Sequence, residues 1–443
     1  MKRALMAAVV AASSFGLYGQ AARDPDDVLS QVRAKLRSMT ERLPKYTCVQ
    51  TVERRYFKHG DHKGAGPSCD QIIGDRKAGR YKLQLYATDR LRLDVAEAEG
   101  REIVSWAGAG KFDSRTVDEI VGEGPTGTGA FGGHLVDVFA NRGVHFQYLG
   151  EKDAQGKSVL EYRFAVPLEA SNYRVRGKGD WHITAYDGNF QVDAQSLELE
   201  RLDIRTDELP PDTGMCEART DLEYQHLRIG DGEFLLPRQS QLQIVQTDAR
   251  ETLNVTTFSA CREYHTDSTI RFDGEAEAGS ADAKAAATAA PGMPAGLSLS
   301  LALTAPIDTN TAAAGDPVSA RVTHAVRDLK SKGTLIPAGA VVRGRIARMR
   351  HRVGSPDDFV ILISFDSLEV NGVASPLSVK LDFLDQIERA KTLPYNRRRE
   401  QLNAYQGPET WGALIFPATG SRYVVPAGYE SKWLTTAPPA AKQ

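Results

Sequence analysis

Residues 158–166, Ser-Val-Leu-Glu-Tyr-Arg-Phe-Ala-Val, place a large apolar side chain at every second position. Leu160, Tyr162, Phe164 and Val166 would share one face of an extended chain, because successive side chains of a strand point to opposite sides. The polar residues between them would face solvent. The stretch therefore predicts a half-buried strand of an antiparallel sheet.

The same alternation extends from residue 46 to about residue 272, for instance at Leu91, Leu93 and Val95. It slips phase near Arg201, which indicates bulges that bend a sheet. Dipeptides and tripeptides typical of turns separate the runs, including Asp187-Gly188 and Gly230-Asp231-Gly232. We predict a mainly β protein, with an N-terminal helix on a large curved antiparallel sheet (a half-barrel), followed by a small β-barrel domain.

The N-terminal helix is predicted by a cap and a stripe. Asp24-Pro25-Asp26-Asp27 offers an N-cap, a proline at the first helical position and acidic residues near the positive end of the helix dipole. Apolar residues then recur at spacings of three and four, and Pro44 ends the pattern. The stripe consists of Val28, Leu29, Val32, Leu36, Met39 and Leu43.

A glycine-rich segment interrupts the strands. Residues 122–133 hold six glycines, and Phe131, Leu135, Val138 and Phe139 then follow helical spacing. Glycines before a helix can bind phosphate, but no Gly-Lys-Ser/Thr follows here and no dinucleotide fingerprint is completed. We expect a flexible loop that delivers a short helix onto the sheet.

The first 21 residues predict export. A basic pair precedes an apolar run of about fifteen residues, which is short for a membrane span, and Gly19-Gln20-Ala21 suits a cleavage site after residue 21. The whole chain has 443 residues, 55 basic and 57 acidic, so no excess of basic charge favours nucleic acid. We expect a periplasmic or secreted protein, with association with the outer membrane as an alternative, whose mature chain has no transmembrane helix.

Export implies that the four cysteines pair. Cys48, Cys69, Cys216 and Cys261 allow three connectivities, and sequence alone does not choose among them. We favour the local pairs Cys48–Cys69 and Cys216–Cys261. Metal binding by His59, His62 and Cys69 is the rival reading, but their spacing fits no zinc pattern, and we expect no metal and no other cofactor.

Composition divides the chain. Residues 274–296 are rich in Ala, Gly, Glu, Ser and Pro and cannot bury a core, so they read as a flexible linker between domains at 22–273 and 297–436, with a disordered tail at 437–443.

In the second domain, residues 314–322 (Ala-Gly-Asp-Pro-Val-Ser-Ala-Arg-Val), 335–340 (Leu-Ile-Pro-Ala-Gly-Ala) and Asn371-Gly372 occur in an order that resembles the TrbI-type β-barrel of conjugation and type IV secretion channels. That resemblance implies a barrel fold and, in the family, assembly under the outer membrane.

The first domain resembles, by the order and period of its elements, the LolA- and RseB-like half-barrels of the bacterial envelope. In that family the sheet and its helices enclose a cavity that takes acyl chains. Residues 43–48 (Leu-Pro-Lys-Tyr-Thr-Cys) and 258–264 (Phe-Ser-Ala-Cys-Arg-Glu-Tyr) also resemble segments of secreted proteins of soil bacteria.

No motif predicts an enzyme: the chain has no Gly-x-Ser-x-Gly and no His-Glu-x-x-His. Asp207 and Glu208 are adjacent, so on a strand they would face opposite ways. Single tryptophans at 106, 181, 411 and 433 are interpreted as core residues rather than as a lipid or carbohydrate surface.

The predicted function is therefore a non-enzymatic envelope protein whose half-barrel binds an apolar ligand, such as a lipid acyl chain, or an envelope partner. The alternative is a structural or assembly component acting through the TrbI-like barrel, as a homo-oligomer or with an envelope protein; a hydrolase with an unrecognised site is least favoured. The expected ligand-binding residues are Trp106, Phe131, Leu135, Phe139, Tyr162 and Phe164.

Overall fold

The computed structural model describes residues 24–42, 45–59, 67–80, 82–98, 101–154, 156–206, 209–263, 293–327, 333–355, 357–391, 399, 412–418 and 420–437. The predicted leader at 1–21, most of the predicted linker (274–292), residues 438–443 of the predicted tail, His62 and the Asp207-Glu208 pair lie outside these residues.

Strands dominate the described residues. The helices are α1 Pro25–Arg42, α2 Cys69–Lys77, α3 Val117–Val121, α4 Gly133–Leu135, which continues as a π-helical turn Val136–Ala140, and α5 Phe383–Lys391. The first twelve strands are β1 Tyr46–His59, β2 Leu83–Ala98, β3 Arg101–Trp106, β4 His145–Ala154, β5 Lys157–Val166, β6 Arg174–Arg176, β7 Trp181–Ile183, β8 Tyr186–Asp193, β9 Leu199–Thr206, β10 Met215–Ile229, β11 Gly232–Gln246 and β12 Glu251–Glu263. The next twelve are β13 Ser298–Leu303, β14 Ile307–Asp308, β15 Pro317–Val322, β16 Val326–Arg327, β17 Thr334–Ile336, β18 Val341–Arg352, β19 Asp358–Val370, β20 Val373–Pro376, β21 Val379–Leu381, β22 Leu414–Pro417, β23 Val424–Val425 and β24 Glu430–Thr435.

The predicted N-terminal helix is confirmed as α1. The Asp24 carboxylate accepts a hydrogen bond from the backbone N–H of Asp26 at 3.0 Å, which satisfies one of the free donors at the helix start. Val28, Val32 and Leu36 are buried, so the apolar stripe faces the sheet.

Ten strands form the first antiparallel sheet, in the order β4-β5-β8-β9-β10-β11-β12-β1-β2-β3. The pairing shifts register at several points, among them Leu199 to Arg201, where the sequence slips phase. Such bulges increase bend and twist. We call the face covered by α1 the inner face and the opposite one the outer face.

Helix α2 departs from the strand pattern expected for residues 46–272. Ser68 caps it by accepting a hydrogen bond from the Gln71 backbone N–H at 3.3 Å. Its one buried large side chain, Ile72, packs with Val245 on the outer face of β11. A helix of nine residues with a single buried anchor leaves almost no periodic signal in the sequence.

The second sheet follows the order β21-β24-β13-β15-β18-β19-β22, and β20 also pairs with β19. Because β20 runs directly into β21, the two ends of this sheet meet, as in a small barrel. Trp433 is 2% exposed in its core and meets Phe365 edge-on at 5.0 Å. Asn371 and Gly372, both with positive φ, form the turn that joins β19 to β20.

The two sheets are hydrogen-bonded to each other along β2. One edge of β2 pairs with β1. Along the opposite edge, one half of β2 pairs with β3, and Ala87–Asp89 in the other half pair with Arg350–Arg352 of β18. Between them, the Arg92 N–H donates to the Ala314 carbonyl and the Ala314 N–H donates to the Arg90 carbonyl, each at 2.8 Å. From Tyr86 to Ala98 this edge of β2 is thereby covered, which protects it from pairing with another chain.

Candidate functional site

The inner face of the first sheet carries two groups of buried apolar side chains. The larger group is centred on Tyr162 and Phe190, whose rings stack 5.1 Å apart, and α1 packs on it. The smaller group is centred on Tyr46 and Phe258. Residues 116–141, which we call the cover, pack on both groups, and Ala130 contacts each.

The cover contributes different side chains to the two groups. Phe131 enters the smaller group, where its ring lies 4.7 Å from Tyr46. Leu135 and Phe139 enter the larger group, where Phe139 meets Phe190 edge-on at 4.9 Å. The predicted delivery of a short helix onto the sheet by the glycine-rich loop is confirmed.

A polar row crosses the inner face beneath the cover. Direct cross-strand pairing aligns four polar residues: Asp89 on β2, Arg54 on β1, Asn254 on β12 and Thr220 on β10. The apolar Leu242 on β11 lies between the last two. The row begins at the junction with the second sheet and ends under the cover, between the two apolar groups.

A cavity of about 30 Å³ lies above this row. Its size suits one or two water molecules rather than an acyl chain. Asn254 is 2% exposed and its amide donates to the Pro125 carbonyl of the cover at 2.9 Å, while its carbonyl oxygen has no hydrogen-bond partner among the described residues. The cavity is lined by Gln50, Val52, Leu91, Leu93, Val117, Thr126, Gly127, Thr128, Ala130, Thr220, Ser240, Leu242, Asn254 and Thr256.

Arg54 ties the cover to strands β1 and β2 of the first sheet. Its guanidinium forms a two-pronged pair with Asp89 at 2.6 and 2.9 Å and donates to the Glu123 carbonyl of the cover at 2.7 Å. Both charged side chains are about 95% buried. Gly124 sits against this pair with φ of +78°, and a Cβ there would lie 2.3 Å from the Tyr56 hydroxyl oxygen, so the close approach requires glycine.

Two titratable groups hold the far end of the cover. The Glu102 carboxylate accepts the Phe131 N–H at 2.7 Å, and burial raises the pKa of Glu102 to about 7 although this hydrogen bond lowers it. His134 is 7% exposed and stacks on Tyr173, and burial lowers the pKa of His134 to about 4. Closure of the cover therefore favours a protonated Glu102 and a neutral His134.

The six expected ligand-binding residues fall into two places. Leu135, Phe139, Tyr162 and Phe164 lie together in the larger apolar group, and all four are buried. Phe131 lies in the smaller group, against which Trp106 is half-buried. Phe131, Leu135 and Phe139 belong to the cover itself, which fills the space over the inner face where a ligand is expected.

All four cysteines pair, but the favoured connectivity is wrong. The disulfides are Cys48–Cys261 and Cys69–Cys216. Cys48 lies on β1, whose neighbour is β12 rather than the segment around Cys69, and the first turn of α2 brings Cys69 onto β10. The bridged residues are 213 and 147 positions apart, so each bridge stabilises the folded state by about 5 kcal/mol in a chain-entropy estimate, because it removes that much conformational freedom from the unfolded chain.

The core interpretation of the tryptophans holds for Trp433 and is wrong for Trp181. Trp181 on β7 is 53% exposed. Its strand is three residues long, so the surrounding sequence has no alternation that would have placed it outside.

One carboxylate pair escaped the sequence search. Asp203 and Asp221 are direct cross-strand partners on the outer face, and Arg201 donates to both at 3.0 Å. Burial and the neighbouring Asp221 raise the pKa of Asp203 to about 6. Arg201 and Arg219 form ion pairs with these carboxylates and balance their charge, so we interpret the group as structural. Among the described residues, no group of three or more His, Cys, Asp or Glu side chains could hold a metal ion.

A second cavity of about 160 Å³ lies where the two sheets meet. Its charged side chains are engaged with one another: Arg90 donates to Glu53 at 2.8 Å and to the Asn310 carbonyl at 2.5 Å. His351 stacks on Phe359 at 4.3 Å along its wall. This cavity is a polar part of the junction between the sheets.

No family model and no curated protein matches the chain. One similar solved structure is a LolA superfamily protein from Nitrosomonas europaea, with 9% sequence identity and a TM-score of 0.26; the match covers 54% of this chain and 94% of that chain. Another is a DUF1329 family protein from Desulfovibrio piger, with 11% identity and a TM-score of 0.25; the match covers 56% of this chain and 98% of that chain. ComB10 of the Com type IV secretion system of Helicobacter pylori is also similar, with 15% identity and a TM-score of 0.19; the match covers 32% of this chain and 86% of that chain. None of the described helices is long and apolar enough to cross a membrane.

Proposed function

We propose that this chain is a non-enzymatic protein of the cell envelope that binds an acyl chain between the inner face of its first sheet and the cover. In the closed form described above, Leu135, Val138 and Phe139 of the cover occupy the apolar surface that the ligand would use. A methylene chain that displaced them would regain the lost burial at about 0.8 kcal/mol per CH₂ group.

The observation that carries the proposal is that the cover leaves a cavity between itself and the polar row. The buried carbonyl oxygen of Asn254 faces this cavity, which has room for one or two water molecules, rather than a donor of the cover. The glycines of the cover also lower the barrier to a change in its backbone. A cover that packs on the sheet with a cavity beneath it is one that an apolar occupant of the inner face can displace.

Location in the envelope is supported by the two disulfides, since such bonds persist in oxidising compartments. The predicted leader at 1–21 agrees with this location.

The test is uptake of a fluorescent fatty acid by the folded chain, followed by stopped-flow fluorescence. Asn254→Ala removes the bond to Pro125, so the open form should gain about fivefold and uptake should accelerate by a similar factor. Gln241→Ala, on the outer face of the neighbouring strand, is the matched control and should leave the rate unchanged.

Native mass spectrometry of the purified protein should show a bound lipid. A folded wild-type protein that takes up no fatty acid, together with an Asn254→Ala variant that also takes up none, would overturn the proposal. A lipid-free oligomer in the same spectrum would instead favour the assembly function of the second barrel.

A further inference from the structure

The β6–β7 hairpin, which lies between β5 and β8 of the first sheet along the chain, presents an apolar and basic surface. Its two strands pair only with each other, and the Gly177 N–H closes the turn by donating to the Asp180 carbonyl at 2.8 Å. Val175 is buried and anchors one side of the hairpin. On the other side, Trp181 and Ile183 are 53% and 50% exposed.

Charge on the hairpin is predominantly positive. Residues 174–183 contain three basic residues, Arg174, Arg176 and Lys178, and one acidic residue, Asp180. Arg174 and Lys178 are exposed and form no ion pair with a described residue. Arg176 lies over the Trp181 ring at 5.7 Å and is paired with Asp118 of the cover.

The neighbouring acidic groups are already engaged in part. Asp212 accepts from His182 at 2.8 Å, and Asp137 accepts from the Asn172 amide at 3.3 Å. Glu169 is exposed nearby in the turn that leads to β6.

More apolar surface adjoins the hairpin. Leu168 is 55% exposed in the 3-10 turn that leads to β6, and this turn is fixed to β7 because the Ser171 hydroxyl donates to the Thr184 carbonyl at 2.6 Å. Val136, next to Asp137 in the cover, is 47% exposed. Trp181 and Ile183 are therefore exposed beside basic residues, and the segments that flank the hairpin expose further apolar side chains.

We propose that the β6–β7 hairpin docks on the surface of an anionic phospholipid bilayer. An indole ring is favoured at the level of the lipid headgroups, where its apolar body is buried and its N–H stays hydrated. Arg and Lys beside it attract the phosphates of anionic lipids. We favour a bilayer over a protein partner because Arg174 and Lys178 are exposed, form no ion pair with a described residue and can extend toward lipid phosphates from the same hairpin as the half-exposed Trp181 ring.

The test is flotation of the full chain with vesicles of phosphatidylethanolamine and phosphatidylglycerol, compared with vesicles of phosphatidylcholine. We expect binding to the anionic vesicles, weakened by salt, and a blue shift of tryptophan emission that Trp181→Phe abolishes. Each of Arg174→Gln and Lys178→Gln should reduce the affinity about fivefold.

Trp181→Ser combined with Ile183→Ser should reduce binding to the anionic vesicles at least tenfold. The control is Leu149→Ser combined with Val373→Ser, which removes two exposed apolar side chains elsewhere. Because both double variants contain residues 1–21, any membrane binding by that segment is the same in the two. Near-ultraviolet circular dichroism confirms the fold of each variant. Equal flotation of the two double variants, or no preference of the wild type for anionic vesicles, overturns the proposal.

Discussion

Arg54 and Asp89 sit side by side on β1 and β2, each about 95% buried and each satisfied by further bonds. Taking charges out of water is costly, so such a pair contributes to stability only while both members are present. Sequence periodicity could place both residues on the inner face, but it could not reveal that they are cross-strand neighbours.

Arg54→Met should therefore destabilise the protein by about 3 kcal/mol, because it leaves the Asp89 carboxylate buried with weaker partners. Adding Asp89→Leu should recover at least half of that loss. Urea denaturation of the two variants measures this coupling. If the double variant is no more stable than Arg54→Met, the loss does not come from the buried Asp89 carboxylate and the expectation is wrong.

Glu102 and His134 make opposite contributions to the pH dependence of folding. Glu102 has a folded-state pKa of about 7, above its unfolded value, so its contribution to stability falls as pH rises toward 7. His134 has a folded-state pKa of about 4, below its unfolded value, so its contribution rises between about pH 4 and 6.5. The two effects largely cancel in the wild type.

Single variants should expose each effect. Relative to the wild type, Glu102→Gln should become more stable as pH rises from 5 to 7, whereas His134→Phe should become less stable. Urea midpoints at several pH values check both signs. Parallel profiles for the wild type and either variant would show that the corresponding group does not titrate in this range.

Elements with a long, regular pattern were predicted correctly from sequence, and those whose form depends on distant neighbours were not. The stripe of α1 and the alternation of β5 are local signals, and both elements are confirmed. The dipeptide Asp187-Gly188 predicts a turn, yet it lies inside β8. A Cβ at Gly188 would lie 1.8 Å from the Asp203 carbonyl, so this glycine admits a neighbouring strand rather than a turn.

The candidate site shows the same division. Phe131, Leu135 and Phe139 were identified because helical spacing after a glycine-rich loop marks a buried face. Asn254 and the polar row were missed because they meet only through the pairing of β1 with β12. The same pairing, some 200 residues apart in sequence, brings Cys48 to Cys261.

At the scale of the whole molecule, the low-complexity segment at 274–296 suggests two separable domains, but β2 and β18 join the two sheets. The ladder is reinforced by the Arg92–Asp316 ion pair and by close packing at Gly315, where a Cβ would lie 2.3 Å from the Arg92 carbonyl oxygen. The contact is built from backbone hydrogen bonds and charges rather than from a large apolar surface. Mixed contacts of this kind hold domains together while permitting dissociation when one set is removed.

Limited proteolysis should accordingly cut first within 274–296, and the two fragments should still migrate as one species in size-exclusion chromatography under native conditions. Gly315→Val, which forces a side chain against the Arg92 carbonyl and the Trp106 ring, should separate the fragments after the same cut. Gly420→Val, at a glycine with open space around its Cβ position, is the control and should leave them associated. Fragments of the wild type that separate as soon as the chain is cut would show that the β2–β18 ladder does not hold the sheets together and that only the covalent connection does.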